Sequence, residues 1–272
     1  MTPFITNPFR FGSSVFTRGV IVGGLTPVTN VMDYITIATT GNATDFGDRT
    51  VTTYGASSAY SDTRGCIAGG YTGAANTNVI DYITTATTGN ATDFGNLGLA
   101  SYNGGGVTDL TRGCFAGGYT TTRTNVIEYI TIASTGNTTD FGDLTILVTS
   151  IGANINSDTR GCFIGGNSTT NTFEPTIGYI TIASTGNATD FGDLTQGRYS
   201  PSGLSSQTRG CMFGGIKTGS TTSNVIDYIT IDTTANATDF GDLSTGSSGA
   251  TGGMTNYTRG VISGYGTTNV IN

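Results

Sequence analysis

The 272-residue chain has no histidine and no tryptophan, only four cysteines and five prolines, and charged residues at just 11% of its positions. Histidine is the commonest acid–base catalyst and a principal zinc ligand, so its absence excludes the usual nucleophilic triads and zinc sites. Eleven basic residues against eighteen acidic ones leave a net charge of −7. Tracking a phosphate backbone needs clustered Lys and Arg, so no nucleic-acid partner is expected. No apolar run approaches the roughly 18 to 20 residues of a membrane span, and no membrane insertion is expected. The start, Met1-Thr2-Pro3-Phe4, lacks the basic and apolar regions of a signal peptide, so no export signal is expected either.

What the chain has in abundance is glycine, 43 residues of it, and repetition. The triplet Thr-Arg-Gly begins at Thr17, Thr63, Thr111, Thr159, Thr208 and Thr258. A period of about 48 residues suits a ring or stack of one small unit, and four-stranded blades take about 40 to 50 residues. No linker-like break interrupts the series, which points to a single domain over residues 1–272.

One copy shows how the unit is built. Thr111-Arg112-Gly113-Cys114-Phe115-Ala116-Gly117-Gly118 is a short apolar run closed by a double glycine, read as a buried strand, B, ending in a tight turn. Asn125-Val126-Ile127-Glu128-Tyr129-Ile130-Thr131-Ile132 is rich in β-branched residues and makes strand C. Ser134-Thr135-Gly136-Asn137 is a turn, a shorter strand D follows over residues 139–144, and residues 146–153 are expected to supply strand A of the next unit. No segment carries a helical period with caps. The expected fold is all-β, a β-propeller of four-stranded blades.

The first expectation is six blades, because Thr-Arg-Gly occurs six times, with the last blade closed by both ends of the chain: residues 3–7 would supply strand D beside residues 269–272. Five blades with overlapping tails is the alternative.

The pattern resembles the kelch family of propellers, whose repeat has a double glycine, then a Tyr, then an aromatic residue. Here these are Gly69-Gly70, Tyr82 and Phe94, then Gly117-Gly118, Tyr129 and Phe141. Phe stands where kelch repeats usually have Trp. The fuller phrase Asn-Val-Ile-Asp-Tyr-Ile-Thr-Ile…Gly-Asn-Ala-Thr-Asp-Phe-Gly-Asp, near-perfect over residues 30–48 and 224–242, resembles kelch-like repeat proteins of tailed phages, notably those of cyanobacteria and other aquatic bacteria. That resemblance implies a virion component, a tail-fibre or decorating module assembled in the host cytoplasm, with other virion proteins and a host surface glycan or receptor as partners.

Two polar sets recur with the repeat. Asp45 with Asp48, Asp140 with Asp143, Asp190 with Asp193 and Asp239 with Asp242 form carboxylate pairs. A glycosidase needs one special pair, so turn caps or partners for arginine are expected. Arg18, Arg64, Arg112, Arg160, Arg209 and Arg259 occupy six of the eleven basic positions. They form either a ring for an anionic ligand or, the expected case, structural forks satisfying carboxylates of the same or a neighbouring blade. Cys66, Cys114, Cys162 and Cys211 alternate with Val20 and Val261 at one position, which marks a small apolar core site and free thiols. Asn42, Asn90, Asn137, Asn187 and Asn236 lie in Asn-x-Thr sequons but read as C-to-D turns. No metal, cofactor or catalytic residue is expected.

The B-to-C loops differ most between copies, and in alternating blades they share a face with the D-to-A loops. Loops on a rigid scaffold are where binding residues concentrate. The candidate binding residues are therefore Tyr71, Tyr119, Arg123, Phe173, Glu174 and Lys217. Tyr and Phe would stack on sugar rings or fill a protein pocket, and Arg and Lys would meet acidic groups. A non-enzymatic virion module is the first functional reading, and a multivalent lectin with one glycan site per blade is the alternative.

Overall fold

The computed structural model describes residues 18–168, 172–247, 253–256 and 259–262, and these contain only strands, turns and loops. Consecutive antiparallel sheets follow the repeat. The first comprises Arg18–Leu25, Val28–Thr36 and Thr44–Asp48. The second runs in the order Ser57–Tyr60, Arg64–Ala68, Val79–Thr84 and Thr92–Asn96, which are strands A to D. The third, fourth and fifth sheets repeat this order, and a hairpin of Gly253–Thr255 and Gly260–Ile262 follows. The architecture is a β-propeller.

Five sheets have three or more described strands, which matches the five-blade alternative. The hairpin's Val261 joins the buried cluster that includes Val20, Val22 and Met32 of the first sheet. The six-blade closure by residues 3–7 and 269–272 falls outside the described residues.

The core lies between sheets. One cluster joins Cys66 and Phe94 of the second sheet to Phe115 and Ile130 of the third, and another joins Val107 and Phe141 of the third to Phe163 and Ile180 of the fourth. The glycine of Thr-Arg-Gly sets this spacing, since a β-carbon on Gly161 would fall 2.5 Å from Val107 Cγ2 on strand A of the preceding sheet. The next position holds a thiol or a valine. Cys66, Cys114 and Cys162 are free and buried, and Cys211 is free and partly buried.

The C-to-D turn straps each of the second to fifth sheets to the one before it. Gly186 N–H donates to Phe141 O at 2.8 Å, Ala188 N–H to Asp143 O at 2.7 Å, and Asp143 N–H to the Asn187 side-chain oxygen at 3.0 Å. The same contact recurs at 3.0 Å where the backbone N–H groups of Asp48, Asn96 and Asp193 donate to Oδ1 of Asn90, Asn137 and Asn236. The backbones touch so closely that a β-carbon on Gly142 would lie 2.6 Å from the Gly186 carbonyl. The strap covers the repeated Phe: Phe46, Phe94, Phe141 and Phe191 are at most 3% exposed, whereas Phe240, with no described turn over it, is 56% exposed. The sequon asparagines Asn90, Asn137, Asn187 and Asn236 are thus turn residues whose side chains tie sheets together.

One strand boundary differs from expectation. Residues 146–149 do not start strand A; they extend the outer strand Thr139–Thr149, and strand A is Ala153–Asn156. The extension exists because Val148 and Thr149 find backbone partners in Ser168 and Asn167 of the next B-to-C loop.

Candidate functional site

The repeated arginines stack rather than pair with acids. The guanidinium carbons of Arg18, Arg64, Arg112, Arg160 and Arg209 sit 4.2 to 4.7 Å from the ring centroids of Tyr34, Tyr82, Tyr129, Tyr179 and Tyr228. The register places Arg64 opposite Thr84, two residues along strand C from Tyr82 on the same face of the sheet. Each of those tyrosines meets the repeated Phe of its own sheet edge-on, with centroids 6.0 to 6.1 Å apart. Beyond the ring, Arg64 Nη1 donates to Ile132 O at 3.0 Å, Arg112 Nη1 to Ile182 O at 2.9 Å and Arg160 Nη1 to Ile231 O at 2.9 Å, each a carbonyl of the following sheet. The expected carboxylate partners are therefore replaced by an aromatic face and a turn carbonyl. Arg259 is exposed, and its backbone N–H donates to Asn256 Oδ1 at 2.9 Å.

Two buried carboxylates take other arginines, which were not foreseen. Arg49 Nε and Asp81 Oδ2 lie 2.9 Å apart, as do Arg198 Nη2 and Asp227 Oδ2, and all four side chains are fully buried. Burial pushes the Arg49 and Arg198 guanidinium groups down from their usual range, while Asp81 and Asp227 oppose that shift. The first joins the first sheet to the second, whereas Arg198 and Asp227 both belong to the fifth sheet.

The opposite face has a different character. Tyr71 and Tyr119 begin the B-to-C loops of the second and third sheets. Each exchanges backbone hydrogen bonds with a tyrosine of a D-to-A loop: Tyr54 and Tyr71 at 3.1 and 2.9 Å, and Tyr102 and Tyr119 at 3.2 and 2.9 Å. Their rings form one chain, with centroids 5.5 Å apart for Tyr54 and Tyr71, 5.4 Å for Tyr71 and Tyr102, and 5.8 Å for Tyr102 and Tyr119. A cleft of about 640 Å³ opens over them, lined also by Ala75, Asn76, Ala100, Thr120 and Thr121. That volume is usual for a small-molecule site. Burial, then the neighbouring tyrosines, raises the Tyr54 and Tyr102 phenols above their ordinary value.

The remaining candidates are divided. Phe173 and Lys217 line a second cleft of about 480 Å³ with Pro175, Gln196, Gly197 and Thr218, and Phe173 packs on Tyr199 at 5.1 Å. Glu174 accepts a hydrogen bond from the Thr172 hydroxyl. Arg123 donates from Nε to Asn167 O and from Nη2 to Asn167 Oδ1, both at 2.9 Å, latching the third sheet to the fourth. Asn76 makes the equivalent latch one sheet earlier, from Nδ2 to Tyr119 O at 3.0 Å. Tyr54 and Tyr102 were missed, although they recur 48 positions apart in the same D-to-A loop. Among the described residues no group of three or more Cys, Asp or Glu is placed to hold a metal ion, and no helix is long and apolar enough to cross a membrane.

The fold is similar to that of the solved structure of YjhT, with a TM-score of 0.75 over 99% of this chain and 93% of that one, at 10% sequence identity. No family model matches the sequence, and no curated protein does. The shared property is the propeller.

Proposed function

We propose that this chain is a non-enzymatic binding module of a tailed-phage virion, assembled in the host cytoplasm and attached to the tail or capsid. It docks to other virion proteins or to the host surface. The observation that carries the binding part is the contrast between the two faces. On one, arginines and asparagines repeat in nearly every sheet and are spent on holding neighbouring sheets together. On the other, loops that differ between copies bring four tyrosines around an open cleft. The phage assignment rests on the resemblance of the phrase repeated at residues 30–48 and 224–242.

A lectin with one site per blade is less well supported, because the aromatic pair is not repeated all round. Asn167 and Ile216 stand where Tyr71 and Tyr119 do. Mass spectrometry and immunogold labelling of washed particles from a phage encoding this chain test the virion reading. The chain is expected at fixed stoichiometry and fixed sites; its loss on washing, or its absence, would overturn the proposal.

A further inference from the structure

We infer that the Tyr54–Tyr71–Tyr102–Tyr119 cleft is a single binding site for an uncharged saccharide. This rests on the binding-module reading above and names the ligand chemistry of that site.

The first argument is preorganisation. The two tyrosine pairs are pinned through their own backbones by reciprocal N–H to C=O bonds, and the rings brace one another through three successive contacts. Tyr54 and Tyr102 also meet edge-on at 6.0 Å. A ligand therefore meets aromatic surface that is already ordered, and little entropy is lost on binding. All four residues are only partly buried. Core aromatics in this chain behave otherwise, as Phe94 and Phe141 are 2% and 3% exposed.

The second argument is charge. None of the nine residues lining the cleft is Asp, Glu, Lys or Arg, and burial raises the Tyr54 and Tyr102 phenols above their ordinary value. Arg123 lies nearby in sequence, but its guanidinium binds Asn167 of the next sheet. An anionic ligand finds no fork here, and a cationic one finds no carboxylate.

The third argument is the kind of polarity that remains. Phenolic and threonine hydroxyls stand beside flat apolar rings, while the Asn76 amide is taken by Tyr119 O and Thr120 O. A pyranose has the complementary build, with C–H groups on its faces and hydroxyls at its rim. The second cleft, lined by Phe173, serves as the internal contrast, because Lys217 in its lining supplies a positive charge.

The test uses the full chain on a printed array of neutral hexose and N-acetylhexosamine oligomers alongside sialylated and sulfated ones, followed by titration of the best binder. With no tryptophan in the chain, intrinsic fluorescence reports the tyrosines directly. The expected results are binding of neutral glycans, a ligand-dependent tyrosine signal, and at least tenfold weaker binding in Tyr71→Ala and Tyr102→Ala. Phe173→Ala should bind like the parent. Tyr102→Phe, which keeps the ring packing, separates loss of a hydroxyl contact from loss of fold and should weaken binding less than Tyr102→Ala. Binding confined to charged glycans, or left unchanged in Tyr71→Ala and Tyr102→Ala, overturns the inference. No glycan binding at all, with retention on particles that Tyr71→Ala abolishes, overturns the saccharide but leaves the docking module standing. Failure of both assays removes both.

Discussion

Gly142→Ala and Gly241→Ala form a matched pair that isolates the strap between blades. Both glycines follow Thr-Asp-Phe, and their φ angles are 144° and 136°, so alanine at either costs about 1 to 3 kcal/mol of backbone strain. Among the described residues only Gly142 of the two has a turn pressed against it: the Gly186 carbonyl lies 2.6 Å from where the alanine methyl would sit, whereas the same methyl at Gly241 has no described atom within 4 Å. Alanine at 142 must push that turn away. Three hydrogen bonds are then at risk, Gly186 N–H to Phe141 O, Ala188 N–H to Asp143 O and Asp143 N–H to Asn187 Oδ1. At about 0.5 to 1.5 kcal/mol each, they add about 1.5 to 4.5 kcal/mol to the strain. Urea unfolding should therefore place Gly142→Ala well below Gly241→Ala. Amide exchange at Gly186 and Ala188 should quicken in the first variant alone. Equal destabilisation, or unchanged exchange at those amides, would refute the strap.

Breaking the buried Arg49–Asp81 pair with Asp81→Ala should cost about 3 to 5 kcal/mol in urea unfolding, because an uncompensated guanidinium is left inside. The double variant Arg49→Leu/Asp81→Gly copies the residues Leu144 and Gly178 found at the equivalent joint, and should recover most of that loss; a simple sum of the single effects would contradict the account. Arg112→Lys gives up both the Tyr129 ring and the Ile182 carbonyl, a loss of about 1 to 2 kcal/mol by thermal melting, and no change would mean the stack is idle. Burial pushes the Cys66 and Cys162 thiols up to about 12. These groups stay protonated in the folded chain while the unfolded chain ionises near pH 9, so their contribution is complete below about pH 9 and falls as pH rises toward 12, by about 1.4 kcal/mol per pH unit for each thiol. Cys66→Val/Cys162→Val should flatten that decline in urea midpoints measured between pH 8 and 10.5; an identical decline in the variant would rule the thiols out.

The architecture was legible because each blade repeats its signals locally. The double glycines end strand B, the β-branched run makes strand C, and the Cys/Val alternation marks a core position. The partners of polar groups were harder to read, since they come from the next repeat. Nothing within one unit says that Arg64 reaches Ile132 O, or that Asn137 caps Asn96. Arg–carboxylate pairing was expected of the repeated arginines, whereas the buried pairs use Arg49 and Arg198, which stand outside the repeat. Loop variation found Tyr71 and Tyr119, but Tyr54 and Tyr102 belong to the less conspicuous D-to-A loops, and only the ring geometry shows the four as one surface. Arg123 was attractive as a cation in a variable loop; the third and fourth sheets consume it as a latch.

The virion-module claim is tested most directly by cryo-electron microscopy of phage particles whose genome encodes this chain, compared with particles lacking it. The account predicts ordered propellers at fixed positions on the tail or capsid, present in the first map and missing from the second. Identical maps, with the chain recovered only as free protein, would contradict it.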